Sequence, residues 1–148
     1  MMAVLQHALG WLRDQGEPVT ALVLLQPTSP LRSPGSVTAA IEMFFSNEAD
    51  SVVSVMAVPH NCTPGSLLTK AADGRVTAAF PEFNQAIRRQ DKPHFYARNG
   101  PAILVLRPSL IDSGHLYSAR TFGFEMSRRE SFDIDHPEDL AIAEALMA

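Results

Sequence analysis

Three short runs of apolar residues constrain the fold of this chain more than any other feature of its sequence. They cover residues 21–25, 51–58 and 102–106. Each run is nearly continuous rather than alternating, which is typical of strands that are covered on both faces. Helical or mixed segments separate the runs, so the sequence predicts an α/β fold built on a mostly parallel sheet.

The segments between these runs carry helix and turn signals. Apolar residues recur at helical spacing in residues 2–15. Ser33 and Pro34 provide an N-cap and a first-turn proline for a second helix, and Pro137 opens a third. Residues 67–80 alternate weakly around an Asp-Gly pair, which indicates a β-hairpin. The chain therefore alternates strands and helices as an α/β domain does.

Composition excludes several classes of protein. Twelve basic and sixteen acidic side chains give the 148 residues a net charge of −4, whereas nucleic-acid and membrane-surface proteins carry a basic face. A single cysteine, Cys62, excludes an internal disulfide and a cysteine-rich zinc site. No apolar run reaches the ~18 residues of a membrane span. We expect one soluble, cytoplasmic domain over residues 1–148, with neither nucleic acid nor a membrane as partner.

Two carboxylates precede the last helix. Asp133 and Asp135 lie two residues apart in an extended stretch, so their side chains point the same way, roughly 6.6–6.8 Å apart along the strand. Hard oxygen ligands at this spacing can hold Mg²⁺ together with the oxygens of a phosphate. An Asp-x-Asp pair before a helix also serves as a cap on a solvated face. The spacing alone leaves both interpretations open.

A nine-residue motif is more specific than any pair of residues. Residues 24–32 read Leu-Leu-Gln-Pro-Thr-Ser-Pro-Leu-Arg, which resembles the signature of the acylneuraminate cytidylyltransferases, the CMP-sialic acid synthetases. The resemblance continues in the same order through residues 51–55, 88–91 and 99–100. It closes on residues 133–140, Asp-Ile-Asp-His-Pro-Glu-Asp-Leu. Four further motifs in the same order over most of the chain make coincidence a poor explanation.

The resemblance implies a Rossmann-like nucleotidyltransferase that works as a homodimer. Enzymes of this family transfer CMP from CTP to the anomeric hydroxyl of a 2-keto-3-deoxy sugar acid and release pyrophosphate. Catalysis then rests on alignment of the two substrates and on charge neutralisation by Mg²⁺, the expected cofactor. By the same resemblance, Asp133 and Asp135 would be the catalytic carboxylates that hold the metal. The motif that contains Gln26 favours a nonulosonic, sialic-like acid as the sugar.

Four further residues acquire substrate-binding roles through the resemblance. Arg89 would clamp the sugar carboxylate through its planar guanidinium, Gln26 would donate or accept a hydrogen bond to the sugar, and Asn99 would lie beside it. Tyr117 is a candidate wall of the pocket for the acyl group, with core packing as the alternative. We expect Gln26 and Arg89 to lie beside the two carboxylates, on one side of the sheet.

Two departures from the family pattern qualify this picture. Family members begin with a strand and a basic, glycine-containing loop for CTP; no similar string occurs here, so we expect an N-terminally truncated domain without that strand and loop. After Asn99 and Gly100, residues 101–104 read Pro-Ala-Ile-Leu where the family usually has Ala-Ile-Tyr-Ile, which leaves the sugar acid open. The alternative function is a non-catalytic remnant that binds a sugar acid or oligomerises.

Overall fold

The computed structural model describes residues 1–83 and 93–147, which form two compact units. The first unit combines residues 1–56 with residues 98–148, and the second comprises residues 57–97. Within the described ranges, all the residues assigned a role by the resemblance lie in the first unit. None of the described helices is long and apolar enough to cross a bilayer.

The regular elements of the described chain follow the predicted alternation of strands and helices. In chain order they are α1 (Met2–Asp14), β1 (Leu22–Leu24), α2 (Pro34–Ser46), β2 (Ser51–Ala57), β3 (Leu68–Lys70), β4 (Val76–Ala78), β5 (Tyr96–Arg98), β6 (Leu104–Leu106), α3 (Pro108–Asp112), β7 (Thr121–Glu125) and α4 (Pro137–Met147). The three apolar runs become β1, β2 and β6, so these strand predictions are confirmed.

Four strands of the first unit lie side by side in the order β1-β6-β2-β7. Strand β6 is antiparallel to both β1 and β2, and only the β2–β7 pair is parallel. The α/β class is confirmed, but the prediction of a mostly parallel sheet is wrong. A continuous apolar run reports that both faces of a strand are covered, and it carries no information about the direction of that strand.

Helices cover both faces of this sheet. On one face α2 places Ala40 and Phe44 against Val52 and Val105. On the other face the buried residues come from α1, α3 and the alternate positions of the strands: Leu5, Leu9, Val53, Leu104, Leu106 and Ile111. Neighbouring strand residues point to opposite faces, which explains why both Leu104 and Val105 are fully buried.

The turn between α2 and β2 is closed by two Schellman hydrogen bonds. The backbone N–H of Glu48 donates to the Phe45 carbonyl at 3.1 Å, and that of Ala49 donates to the Phe44 carbonyl at 2.9 Å. Glu48 takes the left-handed position of this motif, with a φ of 47°. Glycine is the usual residue there because a Cβ costs roughly 1–2 kcal/mol in that conformation. The turn therefore contains local strain.

The second unit contains a hairpin and short turns. Strands β3 and β4 pair antiparallel, with Leu68 opposite Ala78 and Lys70 opposite Val76. Gly74 in the connecting turn has a φ of 89°, so the predicted hairpin is confirmed at the predicted place. No residue that the structure describes between 57 and 97 is buried. The unit thus has no core among its described residues, and the hairpin face that carries Leu68 and Val76 is exposed.

We expect Glu48→Gly to raise the free energy of unfolding by about 0.5–1 kcal/mol, because it relieves the left-handed strain. The ion pair that it removes, between Arg120 and Glu48 at 3.6 Å, is exposed and contributes little. Urea denaturation measures the change. The matched control is Glu42→Gly in the middle of α2, which should lower stability by about 1 kcal/mol. A loss of stability in both variants would contradict the assignment of strain to Glu48.

Candidate functional site

The loop after β1 carries Gln26 and is held closed by Arg32. One guanidinium nitrogen of Arg32, Nη1, donates to the carbonyls of Gln26 at 2.6 Å, Ser29 at 3.0 Å and Ala102 at 3.3 Å. Two prolines in this loop lack an N–H and prevent a regular ladder, so its carbonyls need another donor. The Arg32 guanidinium is that donor, and it also ties the loop to the segment that leads into β6.

The segment that carries the two carboxylates lies against the same loop. The hydroxyl of Ser29, which is fully buried, donates to Oδ1 of Asp133 at 3.2 Å. The backbone N–H of Ile134 donates to the Thr28 carbonyl at 2.8 Å. One side-chain bond and one main-chain bond therefore connect residues that are more than a hundred positions apart.

Asn99 and Gly100 bring a third segment to this place. Gly100 has a φ of 118°, and a Cβ there would lie 3.3 Å from Oε1 of Gln26 and 3.4 Å from Oγ of Ser29. Only glycine tolerates this conformation so close to the loop. Asn99 is 5% exposed and donates through Nδ2 to the Ser131 hydroxyl at 2.8 Å. Its Oδ1 is buried without a hydrogen-bond partner among the described residues.

Three of the predicted site residues are therefore brought together. Gln26, Asn99 and Asp133 gather at one edge of the sheet through Ser29 and Gly100. Ser29 and Arg32 both lie inside the motif of residues 24–32. The motif alone did not predict that Ser29 bonds to Asp133 or that Arg32 bonds to backbone carbonyls.

Asp135 takes no part in these bonds and is exposed. The start of α4 is capped instead by Asp139, whose Oδ2 accepts from the backbone N–H groups of Asp135 at 3.0 Å and His136 at 2.8 Å. The carboxylate of Asp133 is bonded to Ser29. Asp139, rather than Asp133 or Asp135, therefore caps this helix, and the side chains of both predicted carboxylates are available for other chemistry.

Tyr117 packs against the hydrophobic cluster on the α1 face of the sheet. Its hydroxyl accepts from Nη1 of Arg98 at 3.1 Å, and the Arg98 guanidinium lies 5.3 Å from the centre of its ring. Among the described residues no hydrogen bond joins Tyr117 to the Gln26 loop. Core packing accounts for these contacts, and the acyl-pocket role stays a prediction. Arg89, the predicted carboxylate clamp, lies outside the described residues.

The two carboxylates suit a hard cation such as Mg²⁺, which keeps part of its hydration shell when a protein binds it. In residues 1–83 and 93–147 no group of three or more His, Cys, Asp or Glu side chains is arranged to hold a metal. Asp133 and Asp135 would supply two ligands, with the rest from water and phosphate oxygens, which is the usual arrangement for Mg²⁺. The Ser29 hydroxyl bonds to one oxygen of Asp133, Oδ1, and the carboxylate has a second oxygen for a metal.

Glu130 is a residue that the sequence reasoning missed. Its Oε1 accepts from the Ser36 hydroxyl at 2.6 Å and from the Ser33 backbone N–H at 3.3 Å, and its Oε2 accepts from the Ser127 hydroxyl at 3.0 Å. These bonds, that from Ser36 first, lower the pKa of Glu130 from its ordinary 4.5 to about 2. The available signal was that α2 begins Ser-Pro-Gly-Ser and lacks the acidic third residue of a capping box.

Sequence comparison identifies relatives with named activities. The chain is 31% identical over 117 residues to an N-acylneuraminate cytidylyltransferase from Streptococcus agalactiae serotype III, a match that covers 79% of this chain and 28% of the relative. It is 32% identical over 133 residues to the CMP-N,N'-diacetyllegionaminic acid synthase of Legionella pneumophila, which covers 86% of this chain and 53% of the relative. No protein-family model matches the chain.

A third relative, the post-translational flagellin modification protein B of Campylobacter coli, is 29% identical over 85% of this chain and 52% of its own length. These matches place the chain among relatives of sugar-acid cytidylyltransferases. They confirm the predicted resemblance: the chain is related in sequence to the N-acylneuraminate cytidylyltransferases over about four-fifths of its length. It spans between about a quarter and half of the length of these relatives.

Because the folded-state pKa of Glu130 is lowered, its stabilisation is complete above the unfolded pKa of 4.5 and is lost as the pH falls toward 2. We expect Glu130→Gln to lower the free energy of unfolding by about 1–2 kcal/mol at pH 7, allowing for solvent screening of a partly exposed group. Urea denaturation from pH 7 to pH 2 should show the wild type and the variant converging. A difference that stays constant with pH would contradict this prediction.

Proposed function

We propose that this chain carries the sugar-acid and metal side of a cytidylyltransferase site. The reaction would transfer CMP from CTP to the anomeric hydroxyl of a nonulosonic acid and release pyrophosphate. One observation carries the proposal: Gln26, Asn99 and Asp133, from three distant segments, meet at the edge where β1 ends and β6 begins. Ligands of open α/β sheets bind beyond such strand ends.

The chemistry requires little covalent participation from the protein. The anomeric oxygen attacks the α-phosphorus of CTP, the bond from that phosphorus to the bridging oxygen breaks, and pyrophosphate leaves with the bond's electron pair. The sugar hydroxyl loses its proton as the new bond forms. Rate therefore depends on alignment and on neutralisation of negative charge. Bound Mg²⁺ would supply that neutralisation, held by Asp133 and Asp135.

The residues that line this edge suit a polyhydroxylated acid. Gln26 presents a half-buried amide with both donor and acceptor groups. Gly100 lets the backbone approach that amide closely. The buried oxygen of Asn99 lacks a partner in the described part of the chain. A sugar hydroxyl, or a water that bridges to one, would satisfy that oxygen. By resemblance Arg89 would then bind the carboxylate of the sugar.

The names of the relatives favour a nine-carbon sugar acid without choosing one. One relative is named for N-acylneuraminate and another for N,N'-diacetyllegionaminic acid. Where the family usually has an aromatic residue after the Asn-Gly pair, this chain has Ile103, which is fully buried in the core on the α2 face. That side chain cannot line a sugar pocket here, so the substrate preference is expected to depend on other residues.

We further propose that the chain acts as a homodimer, with the hairpin β3–β4 at the contact. Leu68 is 61% and Val76 55% exposed, and the register places both on one face with Ala78 and Lys70. The opposite face carries Thr69 and Thr77, whose hydroxyls lie 2.9 Å apart. A two-stranded hairpin alone is marginally stable in water, and a second copy would cover the exposed Leu68 and Val76 side chains.

A non-catalytic, sugar-acid-binding remnant is the alternative. The same cluster around Gln26 and Asn99 would bind the sugar acid in either case. The two functions differ in whether pyrophosphate appears, because only a transferase breaks the bond in CTP. The hydrogen bond from Ser29 to Asp133 favours the transferase. A remnant that only binds a sugar acid would not require a carboxylate oriented for a metal.

We expect the chain to release pyrophosphate from CTP with Mg²⁺ and at least one member of a panel of nonulosonic acids. Asp133→Asn should lower this rate about 100-fold or more, comparable to the loss of one preorganised electrostatic contact, because it removes a metal ligand. Sugar-acid binding, measured by calorimetry, should stay nearly unchanged. The control is the same replacement at the exposed Asp14 at the end of α1, which should affect neither measurement.

The possible results separate the two functions. Sugar-acid binding without pyrophosphate release for any member of the panel would contradict the transferase and favour the remnant. Absence of both would contradict the whole assignment of the site. Equal activity of the Asp133→Asn and Asp14→Asn variants would show that Asp133 is not a metal carboxylate.

We expect Leu68→Lys to convert the dimer to monomer, because it places a second positive charge on the face that already carries Lys70. Sedimentation velocity measures the change. Thr69→Lys is the matched control, since it puts the same charge on the opposite face one residue away, and it should leave the dimer intact. A monomeric wild type at high micromolar concentration would refute the dimer, and dissociation by both variants would refute its location.

A further inference from the structure

The start of α2 is capped by a residue from the far end of the chain. In a capping box the third helical residue reaches back to the backbone N–H of the N-cap. Here the N-cap is Ser33, the third residue is Ser36, and Ser36 is too short to reach back as a Glu or Gln would. Glu130, which lies 97 positions away, accepts from that N–H instead. It thus completes the cap in place of the missing local carboxylate.

Glu130 also fixes the turn in which it lies. Its own backbone N–H donates to the Ser127 hydroxyl at 3.2 Å, and that hydroxyl donates back to Oε2 of Glu130 at 3.0 Å. The next residue, Ser131, is buried, donates to the Ser127 carbonyl and accepts from Asn99. The turn is therefore tied to the α2 N-terminus on one side and to the Asn99 segment on the other.

This turn leads directly into the carboxylate segment. Ser33 follows Arg32, the residue that closes the Gln26 loop, and Glu130 precedes Asp133 by three residues. The loop and the carboxylate segment are thus joined at two places: through Glu130 at one, and through the Ser29–Asp133 and Thr28–Ile134 hydrogen bonds at the other. Attachment at both places fixes the orientation of one segment on the other, whereas attachment at one place leaves the other end of the segment able to move.

We propose that Glu130 is a positioning residue that sets Asp133 in place for the metal. The inference rests on the proposed function, because it takes Asp133 as a metal ligand. Glu130 acts through the backbone of residues 131–133 and touches neither metal nor substrate. Its charge adds to the effect, because an anion at a helix N-terminus interacts favourably with the helix dipole and because hydrogen bonds to a carboxylate are stronger than those to an amide.

The test compares Glu130→Gln with a variant of similar stability. Ile111→Val removes one methylene from the fully buried Ile111 of α3 and lowers global stability without touching the turn. We expect both variants to stay folded at pH 7, because each loses only about 1–2 kcal/mol of stability, so binding is measured on native protein. The first readout is hydrogen exchange at the Ile134 amide, which donates to Thr28. Its protection should fall about tenfold in Glu130→Gln through local opening, and by less than about twofold in Ile111→Val.

The second readout is the affinity for Mn²⁺ alone, measured by electron paramagnetic resonance. Its dissociation constant should rise about tenfold in Glu130→Gln, the size expected when a residue that orients a metal ligand is lost. Binding should be unchanged in Ile111→Val and absent in Asp133→Asn. A Glu130→Gln variant that binds Mn²⁺ as the wild type does would overturn the positioning role.

The two readouts separate failure of this inference from failure of the proposed function. A wild type that binds no Mn²⁺ would contradict the metal site of the proposed function and, with it, the purpose assigned to Glu130. The Ile134 amide would then still decide whether Glu130 holds the segment. Unchanged protection of Ile134, or an equal loss in both variants, would show that Glu130 contributes only to global stability.

Discussion

The geometry of the candidate site depends on the guanidinium of Arg32. A loop with two prolines cannot satisfy its carbonyls through its own N–H groups, and an unpaired buried carbonyl costs about 1–3 kcal/mol. Arg32 donates to two carbonyls of the loop and to Ala102 beside β6. This arrangement keeps Gln26 at the sheet edge and brings Gly100 within contact of it.

The direction of β6 explains why the site forms where it does. Residues that follow β1 and residues that precede β6 lie at the same edge only if the two strands run in opposite directions, as they do. A parallel β6 would have placed Asn99 and Gly100 at the edge opposite Gln26. The expectation of a mostly parallel sheet thus conflicted with the expectation that these residues share a site, although both were drawn from the same sequence.

Local features were predictable and long-range ones were not. Burial, periodicity and capping depend on neighbouring residues, so the sequence indicated strand β2, the hairpin turn at Gly74 and the Ser33 cap of α2. Strand direction, the bond from Ser29 to Asp133 and the use of Glu130 as a distant cap depend on residues that meet only in the folded chain. The site residues were predicted from family motifs, which indicate which residues form the site but not how those residues contact one another.

The site is held together by polar bonds rather than by apolar packing, and this has a physical consequence. Ser29, Asn99 and Ser131 are buried, so each must find partners or destabilise the fold. Ser29 and Ser131 do so within the described chain, while Oδ1 of Asn99 does not. If the amide group of Asn99 were turned by 180°, its nitrogen rather than its oxygen would lack a hydrogen-bond partner, because Ser131 bonds to only one end of the amide. Under the proposed function, a sugar hydroxyl, or a water that bridges to one, would pair with the free end of this amide at the point where the three segments meet.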